Sequence, residues 1–245
     1  MGWMARIFGA PLCTVALLTG CDNPQSRTPS GPVPHGLLTG FVANTSGDIV
    51  TSDAGVTGCS SIRVRVAAGE LPADVVARDR TIHLALLHVN HVLAAALSLR
   101  DGAGIRQAET VLVMGYPYGE NWQRDPTVAS GLVNALDGPG NDIRTLQFTA
   151  SLQPGYGGGP VLDLSGHVIG IVVGIVKNKP TVSSVGPTSG DIAQNLNIAV
   201  KSAVIRQFLD ANGVKYRAEP STAELRLADV AAQAKQAIAY VECLG

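Results

Sequence analysis

The sequence has few charged residues and no long run of charge of one sign. Charged side chains make up 15% of the 245 residues, and the formal net charge is -1. A protein that holds nucleic-acid phosphates or an acidic membrane surface needs a concentrated basic patch. We therefore expect no nucleic-acid partner. The 28 glycines and 14 prolines instead suit a globular, turn-rich protein.

The apolar stretch near the N-terminus is too short to cross a bilayer. It covers about a dozen residues from Ile7 to Leu18 and follows a single basic residue, Arg6. These features predict an export signal over residues 1–20. The stretch leads into the letters LTGC, which end at Cys21 and resemble a bacterial lipobox. We expect Cys21 to be lipidated; the alternative is an ordinary secretory signal with an incidental cysteine.

Lipidation at this cysteine has consequences for location. Two or more acyl chains anchor a protein stably, so the membrane is an expected partner through the N-terminal lipid. The expected location is the bacterial cell envelope, periplasmic or otherwise extracytoplasmic, with the protein lipid-anchored to a membrane. Residues 21–35 are rich in Pro, Ser and Gly and lack apolar periodicity, which predicts a flexible tether.

The rest of the sequence lacks repeats with a period of about 20 to 50 residues, so nothing indicates a solenoid or a propeller. Short Val-, Ile- and Leu-rich segments alternate with turn residues, a pattern typical of a β-sandwich or barrel. The predicted strands are 39–43, 49–51, 62–67, 83–89, 111–114 and 167–173. Helices are predicted over 200–211 and 222–235, followed by a strand-like segment over 238–243.

Cysteine is scarce as well. Apart from Cys21, the segment after the signal contains only Cys59 and Cys243. Disulfides persist in an extracytoplasmic compartment, so we expect these two cysteines to pair. Two unpaired buried thiols are the alternative.

Three separated stretches carry a family resemblance. They are residues 51–56 (TSDAGV), 79–87 (DRTIHLALL) and 146–163 (LQFTASLQPGYGGGPVLD). They resemble the Thr-Asn-Ala-His-Val-Val, Asp-Leu-Ala-Leu-Leu and Gln-Pro-Gly-Asn-Ser-Gly-Gly-Pro motifs of Deg/HtrA-type trypsin-like serine proteases. The resemblance covers roughly residues 36–209. It implies an all-β fold of two antiparallel six-stranded β-barrels over 36–212, with 213–245 as a helix and strand extension that packs on the barrels.

The residues that do chemistry in that family are replaced here. The three motifs supply a histidine base, an aspartate that orients it and a serine nucleophile. In this sequence Ala54 stands at the histidine position, His83 at the aspartate position and Gly157 at the serine position. Acyl transfer needs a hydroxyl or thiol with a base in hydrogen-bond reach, and these residues supply neither. The sequence therefore predicts a pseudoprotease with no catalytic residue intact.

The resemblance assigns the remaining recognition elements to the backbone. One is a nest of amide donors for an oxyanion, and the other is a strand edge that pairs with an extended peptide or an unfolded protein segment. The nest residues are Gly155, Gly157 and Gly158, and the edge residues are Val172, Val173 and Gly174. Tyr156 could cover the cleft and prevent binding.

Other interpretations stay open. A serine-type endopeptidase with a rearranged active site is one, and a structural component of the envelope is another. Zinc bound by His83, His88 and His91 is disfavoured because no carboxylate or cysteine stands at firm ligand spacing. We therefore expect neither a metal nor a cofactor.

Overall fold

Six strands close into a first barrel, in which every pair of neighbours is antiparallel. The computed structural model of the chain describes residues 34–117, 125–175 and 196–245. The strands of this barrel are β1 Pro34–Val42, β2 Asp48–Ser52, β3 Ser61–Val66, β4 Gly69–Asp79, β5 Leu84–His88 and β14 Ile238–Leu244. Their order around the barrel is β1-β14-β3-β4-β5-β2.

Six further strands form a second barrel in the order β10-β7-β8-β9-β12-β11, which closes through pairing of β10 with β11. They are β7 Thr110–Gly115, β8 Thr127–Ala135, β9 Thr145–Thr149, β10 Pro160–Leu162, β11 Val168–Ile175 and β12 Leu196–Lys201. Two short strands, β6 Leu99–Asp101 and β13 Ala218–Pro220, extend this sheet in parallel beside β11. The predicted fold of two six-stranded barrels is confirmed.

Strand β7 shows how the barrels share their cores. Its side chains alternate: Val111 and Val113 belong to the apolar cluster inside the second barrel. Leu112 and Met114 point the other way and join a larger cluster that also contains first-barrel residues such as Phe41. Because both faces of β7 are buried, its sequence is continuously apolar instead of alternating. One apolar cluster therefore spans both barrels, and a second lies inside the second barrel.

The sequence prediction missed seven strands, namely β4, β6, β8, β9, β10, β12 and β13. Strand β4 is mostly exposed or half-buried and contains Pro72, which argues against a central strand. The structure resolves this conflict because β4 pairs with β3 over Gly69–Ala73 and with β5 over Asp74–Asp79. Pro72 thus lies in the half of β4 that has a strand on one side only, where a missing amide hydrogen is tolerated.

Both predicted helices form, but each begins further along the chain than predicted. Helix α1 covers Ser202–Ala211, because Val200 and Lys201 still pair within the second barrel. Helix α2 covers only Leu227–Ala234 and continues as a 3₁₀ turn, Lys235–Ala237. No helix in the described residues is long and apolar enough to cross a membrane.

The C-terminal strand is part of a barrel, which corrects the predicted boundary at residue 212. Strand β14 lies between β1 and β3 and is buried along its whole length. Without it the first barrel would be open, so residues 238–244 belong to the core fold and not to an extension. The predicted disulfide between Cys59 and Cys243 is confirmed, with a Cα–Cα distance of 5.2 Å. The expected signal, the lipidated Cys21 and most of the tether lie outside the described residues.

Candidate functional site

The three positions predicted from the motifs, Ala54, His83 and Gly157, lie where the two barrels meet, and we call the space between the barrels beside Gly157 the groove. Ala54 lies on a 3₁₀ helix, Asp53–Val56, that directly follows β2. The amide of Asp53 donates to the carbonyl of His83 at 3.0 Å, which ties this helix to the turn before β5. From the second barrel, a Cβ placed on Gly157 would lie 3.8 Å from the hydroxyl of Ser52. The residues predicted from three separate motifs therefore surround one site.

The glycine-rich loop requires glycine at three of its four glycine positions. Gly155 has φ of 104° and Gly158 has φ of 82°, conformations that side chains disfavour. A Cβ on Gly158 would also meet the carbonyl oxygen of Thr39 at 2.1 Å, and one on Gly159 would meet that of Met114 at 2.5 Å. Gly157 has neither restriction. Its lack of a side chain is therefore not imposed by the backbone.

A buried threonine of the first barrel holds this loop. The amide of Thr39 donates to the carbonyl of Gly157 at 2.9 Å, and its hydroxyl donates to the carbonyl of Gly155 at 2.7 Å. The same hydroxyl accepts a hydrogen bond from the amide of Tyr116 at 2.9 Å. Sequence reasoning missed Thr39 because these partners are far away along the chain.

The structure leaves two of the three predicted oxyanion donors available. The amide of Gly158 donates to the carbonyl of Val172 at 2.7 Å, so it cannot face a ligand. Among the described residues, no acceptor takes the amides of Gly155 or Gly157. The prediction is corrected accordingly, and a nest of two backbone donors remains.

The predicted peptide-binding edge is shorter than expected. Val172 accepts from Gly158, and its own amide donates to Gly159 at 2.9 Å, so its backbone is already occupied. Pairing of β10 with β11 begins at Pro160 opposite Ile171. Beyond Val172, no described strand pairs with that side of β11. The open edge therefore consists of Val173 and Gly174, both half-buried.

Tyr156 does not cover the groove. Its ring is 4% exposed and packs in the core of the second barrel with Val111 and Val161. Its hydroxyl lies 2.6 Å from the hydroxyl of Thr127. The bulky residue beside Gly157 is thus turned inward and does not fill the space beside the loop.

Two ionisable residues of the described chain are tied to the helix that contains Ala54: Asp53 lies within it, and His83 accepts a hydrogen bond from it through its carbonyl. Asp53 is buried, and its carboxylate pairs with the guanidinium of Arg78 at 2.5 Å. His83 is exposed, with φ of 59°, a left-handed conformation that His, Asn and Asp adopt more readily than most residues. Its neighbourhood includes the carboxyl of Asp142, whose pKa falls to about 2, mainly through hydrogen bonds from Arg144, with a small contribution from the charge of His83.

His88 and His91, the other two histidines of the zinc interpretation, have different surroundings. His88 pairs through Nδ1 with Asp48 at 2.8 Å, at the opposite end of β2 from Ser52. His91 is exposed. Within the described ranges, no group of three or more His, Cys, Asp and Glu side chains could hold a metal ion. The described residues thus offer no geometry for the zinc interpretation.

A second polar cluster lies beside β6 and β13, and sequence reasoning did not find it. The hydroxyl of Ser221 is 3.1 Å from Nδ1 of His167, and Nε2 of that ring is 3.4 Å from Glu219. The same hydroxyl donates to the carboxylate of Asp163. Ser221 and Asp163 also line a cavity of about 470 Å³, together with Arg100. No sequence motif marks this cluster.

Comparison with known proteins agrees with this architecture. The profile of the trypsin-like peptidase domain matches residues 38–171, so the chain belongs to the trypsin-like peptidase family. Relatives named as HtrA or DegP-like serine proteases are among the proteins to which it is similar. It is 37% identical over 223 residues to the uncharacterized protein y4bJ of Sinorhizobium fredii, a match that covers 89% of this chain and 34% of the relative.

Two named proteases are also similar. A probable periplasmic serine endoprotease, DegP-like, from Pseudomonas fluorescens is 30% identical over 155 residues, covering 60% of this chain and 32% of the relative. The crystal structure of the serine endoprotease from Yersinia pestis superposes with a TM-score of 0.60 at 21% identity, over 73% of this chain and 58% of that one. The chain thus spans about a third of the length of these curated relatives.

Proposed function

We propose that this protein is a pseudoprotease that binds an extended peptide or an unfolded protein segment in the groove between the barrels without cleaving it. One observation carries the proposal. Gly157 is free of backbone restriction, yet it supplies no nucleophile, while the strained glycines around it keep the loop in shape. Loss of a triad costs on the order of a million-fold in turnover, roughly 8 kcal/mol of transition-state stabilisation.

Binding without cleavage is supported by the backbone groups that remain. The amides of Gly155 and Gly157 have no acceptor among the described residues, and the edge at Val173 and Gly174 has no described partner strand. An extended peptide can pair with such an edge while one of its carbonyl oxygens faces the two amides. Because Tyr156 is buried, it leaves this path open.

The proposed setting is the bacterial cell envelope, with Cys21 as the lipid anchor. The support is the lipobox-like sequence before Cys21 and the similarity to relatives named as periplasmic endoproteases. Metabolic labelling of expressing cells with a palmitate analogue tests the anchor. Cys21→Ser should abolish labelling, whereas labelling that persists in this variant contradicts the assignment.

The central experiment measures casein hydrolysis by the purified full chain and by a triple variant, Ala54→His with His83→Asp and Gly157→Ser. We expect no cleavage by the natural protein and measurable cleavage by the triple variant. The matched control carries Gly157→Ala in place of Gly157→Ser, so it has the same Cβ but no hydroxyl, and it should be inert. Cleavage by the natural protein itself would overturn the proposal.

A second candidate function is serine-dependent acyl transfer at Ser221. The observation that favours it is that the Ser221 hydroxyl contacts two groups that can take its proton, the carboxylate of Asp163 and the ring of His167. A fluorophosphonate probe with peptide mapping separates the two functions. Labelling of Ser221 that is lost in His167→Gln would support this candidate, and absence of any labelled serine would reject it.

A further inference from the structure

The hydroxyl of Ser52 is an unassigned polar group in the groove. Ser52 is the last residue of β2, and the residue is only 6% exposed. Its Oγ is the single atom within 4 Å of a Cβ placed on Gly157, apart from the neighbours of Gly157 in the chain, and the distance is 3.8 Å. Within the described part of the chain this hydroxyl makes no hydrogen bond. The residue is mostly buried, but its Oγ is not sealed from solvent, so a ligand in the space beside Gly157 can reach it.

Ser52 is a donor and not a replacement nucleophile. A serine becomes nucleophilic when a base within hydrogen-bond reach takes its proton. Within the described part of the chain the Ser52 hydroxyl makes no hydrogen bond to a side chain that could act as a base. The nearest carboxylate along the chain, on Asp53, is neutralised by Arg78 at 2.5 Å. The hydroxyl thus keeps its proton and can donate it to a ligand.

Three donors belong to residues around this space. The amides of Gly155 and Gly157 are in the glycine-rich loop and have no acceptor among the described residues, and the Ser52 hydroxyl lies 3.8 Å from a Cβ placed on Gly157. A neutral peptide carbonyl offers one oxygen, which the two amides can satisfy. A carboxylate offers two oxygens with negative charge, and hydrogen bonds to charged acceptors are the stronger kind.

We infer that the groove binds peptides that end in a free C-terminal carboxylate at Gly157, and that Ser52 donates to one of the two carboxylate oxygens. This inference rests on the proposed function and adds the class of ligand. One carboxylate oxygen accepts hydrogen bonds from the amides of Gly155 and Gly157. The other occupies the space where a protease would place the oxygen of its nucleophile, so the absence of a side chain at Gly157 makes room for it.

The test compares two chemical forms of the same peptides. N-terminally fluorescein-labelled decapeptides of varied sequence are each made with a free C-terminal carboxylate and with a C-terminal amide. Each pair is titrated with the purified full chain by fluorescence anisotropy. For peptides that bind, we expect the carboxylate form to bind about tenfold more tightly or better, as charge-assisted hydrogen bonds allow.

Variants assign the preference to the groove. Ser52→Ala should reduce the carboxylate preference to less than about threefold while the amide form binds as before. Gly157→Ser, which fills the space, should also reduce it. Ser130→Ala, at an exposed serine on β8, is the matched control and should keep the full preference. Thermal unfolding confirms that each variant is folded.

The results of these titrations distinguish failure of the carboxylate inference from failure of the proposed peptide binding. Equal binding of both forms, or a preference unchanged in Ser52→Ala, overturns the inference and leaves the proposed peptide binding intact. No binding of either form overturns the proposed function and the inference together. Labelling of Ser52 by the fluorophosphonate probe would show that it is a nucleophile and would also overturn the inference.

Discussion

The amide of Thr39 in the first barrel donates a 2.9 Å hydrogen bond to the carbonyl of Gly157 in the second. This bond joins the strand that begins the first barrel to the loop that, in a protease, would carry the nucleophile. The hydroxyl of Thr39 adds a bond of 2.7 Å to Gly155. The shape of the loop is therefore a property of both barrels.

Replacing Thr39 by valine should destabilise the protein. Valine has the same shape but leaves the buried carbonyl of Gly155 and the buried amide of Tyr116 without their partner. We expect a loss of roughly 2–4 kcal/mol in the free energy of unfolding, measured by urea denaturation. Thr149→Val, at an exposed position on β9, should cost less than about 1 kcal/mol. Equal losses in the two variants would contradict the role of Thr39.

Gly157 and Gly158 should differ strongly in the loss of stability that replacement by serine causes. Gly157→Ser should leave the thermal unfolding midpoint nearly unchanged, because the nearest atom to the new Cβ is 3.8 Å away. Gly158→Ser should destabilise by at least about 2 kcal/mol, because φ is 82° and the Cβ would overlap the carbonyl of Thr39. A large loss in Gly157→Ser would show that its glycine is structural, which removes the main support for the pseudoprotease proposal.

Loss of the disulfide should loosen the first barrel. The bond joins Cys59 to Cys243 across a sequence separation of 184 residues, and β14 closes the barrel. A chain-entropy estimate gives about 5 kcal/mol for a loop of this length, and observed effects are usually about 2–5 kcal/mol. We expect Cys59→Ser with Cys243→Ser to lower the urea midpoint by a corresponding amount. Dithiothreitol should lower the midpoint of the natural protein and leave that of the double variant unchanged.

Lowering the pH should remove the stability that the carboxylate of Asp142, near His83, contributes to the folded protein. Hydrogen bonds from Arg144 lower the pKa of Asp142 from 3.8 to about 2 in the folded protein. Because the folded pKa is the lower one, this carboxylate contributes stability above pH 3.8, and the contribution is lost as the pH falls toward 2. In Arg144→Gln, NMR titration should show the Asp142 pKa returning toward its ordinary value. The difference between the unfolding midpoints at pH 4 and pH 2 should also be smaller in this variant than in the natural protein.

A matched variant tests whether the effect is local. Arg226→Gln removes an exposed guanidinium that pairs with Asp229 near α2. It should leave the Asp142 pKa near 2. If both variants raise this pKa alike, the shift comes from the overall charge of the protein and not from Arg144.

The sequence by itself determined the features that local patterns encode. Short apolar segments located β1, β2, β3, β5, β7 and β11, and three short motifs assigned Ala54, His83 and Gly157 to one site. The scarcity of cysteine was enough to predict the Cys59–Cys243 pair. The strand predictions succeeded because strand pattern and turn residues depend mainly on nearby residues.

Only the tertiary structure decided which groups at the site are available. Whether the amide of Gly158 faces a ligand depends on the carbonyl of Val172, and the open hydroxyl of Ser52 is defined by the absence of a side chain on Gly157. Likewise, β14 completes the first barrel only because β1 and β3 meet it from the other end of the chain. Hydrogen-bond partners and barrel closure are long-range contacts, and no local pattern in the sequence specifies them.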